Sequence, residues 1–107
     1  MQIMAKTKYT NETALVTFAR YSADQSVAIM LSTPAGQPLL KATSCLVEYG
    51  FTPPVGSVAI KTYSENEGVL ECLIDQGVIE PATETFDGPY GPFPICKLTP
   101  AALAELA

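Results

Sequence analysis

Three carboxylates stand four residues apart in this chain: Glu67, Glu71 and Asp75. Helical residues advance 100°, so each i+4 neighbour falls about 40° from the last and roughly 6 Å further along the axis. In a helix the row forms one acidic ridge, with Glu65 and Glu80 at its rim. The chemistry such a ridge offers is electrostatic. Like charges at this spacing cost roughly 0.2–0.5 kcal/mol per pair, and Asp75 falls near the negative end of the helix dipole. Helix stability therefore explains neither Glu71 nor Asp75. A docking surface for a basic partner explains them, and so does an ordinary solvated face. A second candidate is the aromatic-proline segment with Phe86, Tyr90 and Phe93 among Pro89, Pro92 and Pro94. Rigid aromatic side chains lose little entropy on binding and serve as interface anchors. The alternative has Phe86 and Phe93 covering the edge of the core and Tyr90 capping the turn; Tyr90 is the binding candidate of the segment.

Covalent chemistry finds little to work with. The chain has no His, so no Ser-His-Asp or Cys-His arrangement can form. Cys45, Cys72 and Cys96 lie in apolar segments without a C-x-x-C spacing, as small buried hydrophobes do. Lys97 follows Cys96, but strand neighbours point to opposite faces. For a metal, Glu84 and Asp87 are the nearest oxygen pair, without the ligand count a cation needs. Gly88-Pro89-Tyr90-Gly91 lacks both the N–H groups and the Gly-Lys-Ser/Thr of a phosphate loop. These observations predict a protein without catalytic residues, metal or cofactor.

Charge is distributed unevenly. Residues 1–61 hold five basic residues and three acids, and residues 62–107 hold eight acids and Lys97 alone, for a net charge of −5. That balance argues against direct nucleic-acid binding and against anionic membrane surfaces, and it suits a basic protein. Charged residues are only 16% of the chain, against about 25% in an average domain. The neutral, apolar surface this leaves makes self-association, a homodimer, the alternative. The N-terminal residues show no signal-peptide pattern, and the longest uncharged run is broken by Pro34, Gly36 and Pro38. With free cysteines, this predicts a cytoplasmic setting.

These candidates need elements to hold them. The 107 residues suit one domain. Residues 14–21, 26–32, 39–47 and 57–63 read as strands from their β-branched and aromatic content. Ser64-Glu65-Asn66-Glu67 matches a capping box, Val69, Leu70, Leu73 and Ile74 form one apolar helical face, and Gly77 is a left-handed stop. Together they predict a helix from about 65 to 76. Residues 78–79 open another strand, 87–94 read as a proline-dense loop, and 95–98 as a last strand. Thr99 followed by Pro100 starts a short C-terminal helix. The class is α+β: an antiparallel sheet of about four to six strands with one amphipathic helix and a short terminal one.

Val58-Ala59-Ile60-Lys61, Tyr63-Ser64-Glu65-Asn66-Glu67-Gly68, the run from Leu70 to Gly77, and Pro94-Ile95-Cys96-Lys97-Leu98 resemble a family of small uncharacterised α+β domains from bacterial mobile elements, plasmids and phages. The resemblance covers roughly the C-terminal half and implies no catalytic residues. It implies a setting in which small acidic proteins include inhibitors of host defence, anti-CRISPR proteins among them. The expected function is thus stoichiometric: inhibition by binding a basic surface of a host nucleic-acid-handling protein through Glu67, Glu71, Asp75, Glu65 and Tyr90.

Overall fold

In the computed structural model, which describes residues 1–106, the chain is α+β with seven strands in two antiparallel sheets. The first sheet takes β1 (Gln2–Lys6), β2 (Asn11–Arg20), β3 (Val27–Ser32) and β4 (Pro38–Lys41) in that spatial order. Cross-strand pairs Ile3–Ala14, Val16–Leu31 and Phe18–Ile29 fall on its inner face, and all six side chains join the main core. The second sheet has the order β5 (Ser57–Ala59), β7 (Gly91–Lys97), β6 (Glu84–Gly88). The sheets meet at a corner where Thr43 bridges Ile60, Lys61 N–H donates to Ala42 C=O and Ser44 N–H donates to Ala59 C=O. Thr43 is fully buried there, and its Oγ1 accepts Ile29 N–H at 3.1 Å and lies 3.0 Å from the Tyr21 hydroxyl. Both faces of the second sheet are used. Val58, Cys96 and Leu98 enter the main core, while Ala59, Phe93 and Ile95 enclose a smaller one with Leu46, Phe51, Tyr63 and Phe86.

Helix α1 (Val69–Asp75) buries Val69, Cys72 and Leu73. Full burial of one such Leu contributes about 1.5–3 kcal/mol. Its C-terminus is the left-handed stop its Gly predicts: Gly77 has φ 76°, Val78 N–H reaches Leu73 C=O and Gly77 N–H reaches Ile74 C=O, the paired bonds of a Schellman motif. Helix α2 (Pro100–Leu106) also starts as expected, with Thr99 Oγ1 accepting Ala102 N–H at 3.2 Å.

Four expectations are corrected. The helix is shorter than 65–76, because Ser64–Asn66 form a separate 3-10 turn and Gly68, at φ 93°, turns the chain before Val69. The capping box does not form: Ser64 itself has φ 57°, and no side chain caps the turn. The proline-dense segment 87–94 is a β-hairpin rather than a loop. Pro94 leaves the hairpin intact because its C=O faces the β5 side, where it accepts Ile60 N–H at 2.9 Å, so β6 asks no N–H of it and only the reciprocal bond to Ile60 C=O is forgone. Residues 78–79 make a single bridge, Ile79 to Leu98, rather than a strand, and β1 is a strand its composition did not announce.

The edge of β1 is covered. Met4 N–H donates to Gln76 Oε1 at 3.0 Å, Lys6 N–H to Cys72 Sγ at 3.4 Å, and the Cys72 thiol lies 3.5 Å from Met4 C=O. Helix side chains thus take the place of a further strand, which protects an edge from unwanted pairing.

Candidate interaction surface

The acidic ridge separates into two parts. Glu67 lies outside α1, and its carboxylate meets Lys8 Nζ at 3.1 Å while its C=O accepts Lys8 N–H at 2.9 Å. The hydrogen bond and the charge of Glu67 together push the Lys8 ammonium above its ordinary value. Glu65 meets Lys61 Nζ at 2.8 Å, which holds its carboxyl below the ordinary value. Basic residues of the first 61 positions therefore neutralise two of the acids expected to bind a partner. Glu71 and Asp75 remain on α1, exposed and without an ion pair among the described residues, as is Glu80 beyond it.

Tyr90 lies elsewhere, at the tip of the β6–β7 hairpin, 78% exposed. Around it the fold assembles aromatic residues from three separate stretches. Phe86 stacks on Phe51 at a ring-centroid distance of 4.9 Å and on Tyr49 at 6.3 Å, and Tyr63 meets Phe93 edge-on at 5.7 Å. Phe93 is buried beneath, while Tyr49 is 40% exposed. Partial desolvation, the adjacent Glu48 carboxylate and the nearby Tyr90 and Tyr63 phenols push the Tyr49 hydroxyl above its ordinary value. Lys61 lies 5.4 Å from the Tyr63 ring centroid while it holds Glu65. Of the expected site residues, Glu65 and Tyr90 thus border one aromatic surface, and Glu71 and Asp75 belong to the exposed side of α1. Gly88 fixes the fit, because a Cβ at that position would stand 2.5 Å from Phe93 Cε2.

Glu84 and Glu48 flank this surface, Asp87 stands on the other face of β6, and none of the three makes an ion pair among the described residues. Glu84 and Asp87, three apart on a strand, point to opposite faces, so they cannot share one cation. Tyr49, Phe51 and Tyr63 carry no binding signal in the sequence, since two lie in a Gly- and Pro-rich stretch and Tyr63 closes the expected strand 57–63. The hairpin carried one: Phe86 and Phe93 are symmetric about Pro89-Tyr90 between two glycines.

A concavity of about 470 Å³ lies between the β2–β3 turn, residues 52–57 and α2. Its carboxylate, Asp24, does not offer the raised pKa of a general acid. Burial opposes its ionisation, but hydrogen bonds from Ser26 Oγ at 2.6 Å, Ser26 N–H at 2.9 Å and Thr52 Oγ1 at 3.3 Å outweigh that and hold it below the ordinary 3.8. A depressed pKa stabilises the fold above the unfolded value and ceases to do so as pH falls through the folded one. Asp24→Ala is accordingly expected to lower the urea midpoint at neutral pH, with the gap closing below about pH 3.9; urea titrations at both pH values check this. The Cys96 thiol, pushed up to about 11 by burial, stays protonated at neutral pH. Among the described residues, no group of three His, Cys, Asp or Glu side chains converges as a metal site, and no helix is long and apolar enough to cross a membrane.

No protein-family model, curated protein or solved structure matches the chain.

Proposed function

We propose that this protein acts stoichiometrically, by binding a basic protein partner, and that the β6–β7 hairpin rather than the α1 row carries the contact. The observation that supports this reading is the meeting of exposed aromatic side chains, Tyr49 and Tyr90, with acids free of ion pairs, Glu48 and Glu84 beside them and Asp87 on the other face of the same strand. Aromatic anchors supply most of the energy of an interface, and rim charges set its association rate and its choice of partner. The resemblance to mobile-element domains makes a nucleic-acid-handling host protein, basic where it meets phosphate, the natural partner class, and inhibition the natural outcome. The test is affinity capture from a bacterial host lysate at several salt concentrations. The combined variant Tyr90→Ala, Glu84→Lys, Asp87→Lys is expected to lose at least about tenfold in capture of the partner, equivalent to about 1.4 kcal/mol. The variant Glu71→Lys, Asp75→Lys is expected to retain it. Equal capture by wild type and hairpin variant removes the reading.

One observation favours self-association as a second reading. The outer face of the first sheet exposes Met4 and Met30, and a groove of about 360 Å³ runs beside Met30 along Pro38–Lys41. A concentration-dependent dimer in sedimentation, abolished by Met30→Glu, would assign that face to a homodimer.

A further inference from the structure

Among the described residues, the outer edge of β6 is open. The β1 edge is met by Cys72 and Gln76, and at the end of β4 the Asn66 amide reaches Lys41 C=O. At the other end of the second sheet, β6 pairs with β7 alone, and among the described residues no backbone hydrogen bond reaches it from any other element. The direction of its free groups follows from the register. Thr85 lies opposite Pro94 and Asp87 opposite Pro92. Pro94 C=O points to β5, where it accepts Ile60 N–H. Directly opposed residues in an antiparallel pair either face each other or both face away, so Thr85 points its N–H and C=O outward. Asp87, two residues on, does the same.

We infer that β6 accepts an extended basic segment of the partner as a fourth strand of this sheet. This rests on the binding function proposed above and names its mode. Strand addition uses main-chain hydrogen bonds for affinity and alternate side chains for selectivity. An antiparallel segment places successive residues opposite Asp87, Phe86, Thr85 and Glu84. Asp87 calls for a basic residue. Phe86, already stacked on Phe51 and Tyr49, calls for an apolar one. Thr85 suits a β-branched or hydroxyl residue, and Glu84 a second basic one. The recognition pattern is therefore basic–apolar–Thr/Val–basic, read from N- to C-terminus of the segment. The same acids disfavour a second copy at this edge, since each β6 would bring Glu84 and Asp87 against those of its neighbour.

The probe is a ten-residue peptide with Lys-Val-Thr-Lys at its centre, titrated by fluorescence anisotropy against the full chain. Saturable binding is expected, with protection of the Thr85 and Asp87 amides from hydrogen exchange. Thr85→Pro removes an outward N–H that β7 does not use; it should keep the native circular dichroism and weaken binding about tenfold, the effect of one lost hydrogen bond. The same peptide N-methylated at its Thr tests the bond with the protein unaltered, and should bind about tenfold more weakly too. Binding that falls with Glu84→Gln, Asp87→Asn but ignores N-methylation and leaves both amides unprotected overturns strand addition while the binding surface stands. Absence of binding by every peptide, while the hairpin variant still fails to capture the host partner, also overturns it. Absence of binding with unchanged capture overturns both readings. A dimer in sedimentation with Thr85 and Asp87 protected would assign the edge to a second copy and overturn the proposal.

Discussion

Replacing Gly68 with Val is expected to lower stability by about 3 kcal/mol. Gly68 has φ 93°, and a Cβ there would stand 3.2 Å from Thr7 Cα and 3.4 Å from Lys8 N. The left-handed region costs a residue with a Cβ about 1–2 kcal/mol, more for a β-branched one, and crowding the Thr7 backbone adds about 1–3 kcal/mol. For a domain near this size the melting temperature should fall by roughly 12–24 °C. The sign makes the experiment decisive. Were residues 65–76 one continuous capped helix, Gly68 would lie inside it, and Val would be neutral or slightly stabilising, since Gly is the poorer helix former. Thermal unfolding of the two proteins distinguishes the cases, and a variant as stable as wild type would remove the break that separates Glu67 from Glu71.

Asn66→Asp is expected to cost about 3–5 kcal/mol, the range for an uncompensated buried charge. Asn66 is fully buried, its Nδ2 donates to Lys41 C=O at 2.6 Å, and its Oδ1 has no protein partner. A carboxylate there would turn an acceptor toward an acceptor. The buried acid would have a raised pKa, so its deficit is smallest below the unfolded value near 3.9 and grows as pH rises through the folded one. In the protonated state its O–H can donate to Lys41 C=O. Urea unfolding across pH 3 to 7 checks both size and direction. Here too the continuous helix makes the opposite forecast, because an acid in the first turn favours the helix dipole. A stabilised Asn66→Asp protein would overturn the 3-10 turn as the link between α1 and β4.

Both substitutions fall where local signals and tertiary structure disagree, and the disagreement has one cause. Ser64-x-x-Glu67 is a sound capping box as four residues, but the same segment has partners elsewhere. Asn66 is drawn inward to Lys41, and Glu67 outward to Lys8, 59 residues away in sequence. Two long-range bonds and a buried side chain outweigh a cap worth about 1 kcal/mol. The hairpin departs from its local signal for a related reason. Proline density signals a loop because Pro lacks an N–H, yet that lack leaves a pairing intact where the partner strand asks for no donor, as β6 asks none of Pro94, although the reciprocal bond to Ile60 C=O on the other side is forgone. Which positions those are depends on register, and register is a property of two strands rather than one.

The residues by themselves determined the α+β class, the second and third strands, the apolar face and glycine stop of α1, and the start of α2 at Thr99-Pro100. In each case the deciding interactions span a few positions: a side chain capping its own helix, a left-handed glycine, β-branched residues in a run. Only the tertiary structure decided which carboxylates remain unpaired, which sheet edge remains open, and that Tyr49, Phe51, Tyr63, Phe86 and Tyr90 share one surface. Those outcomes turn on cations and rings brought together from distant parts of the chain. An acidic pattern read along the chain carries no information about the lysine that folding will place beside it.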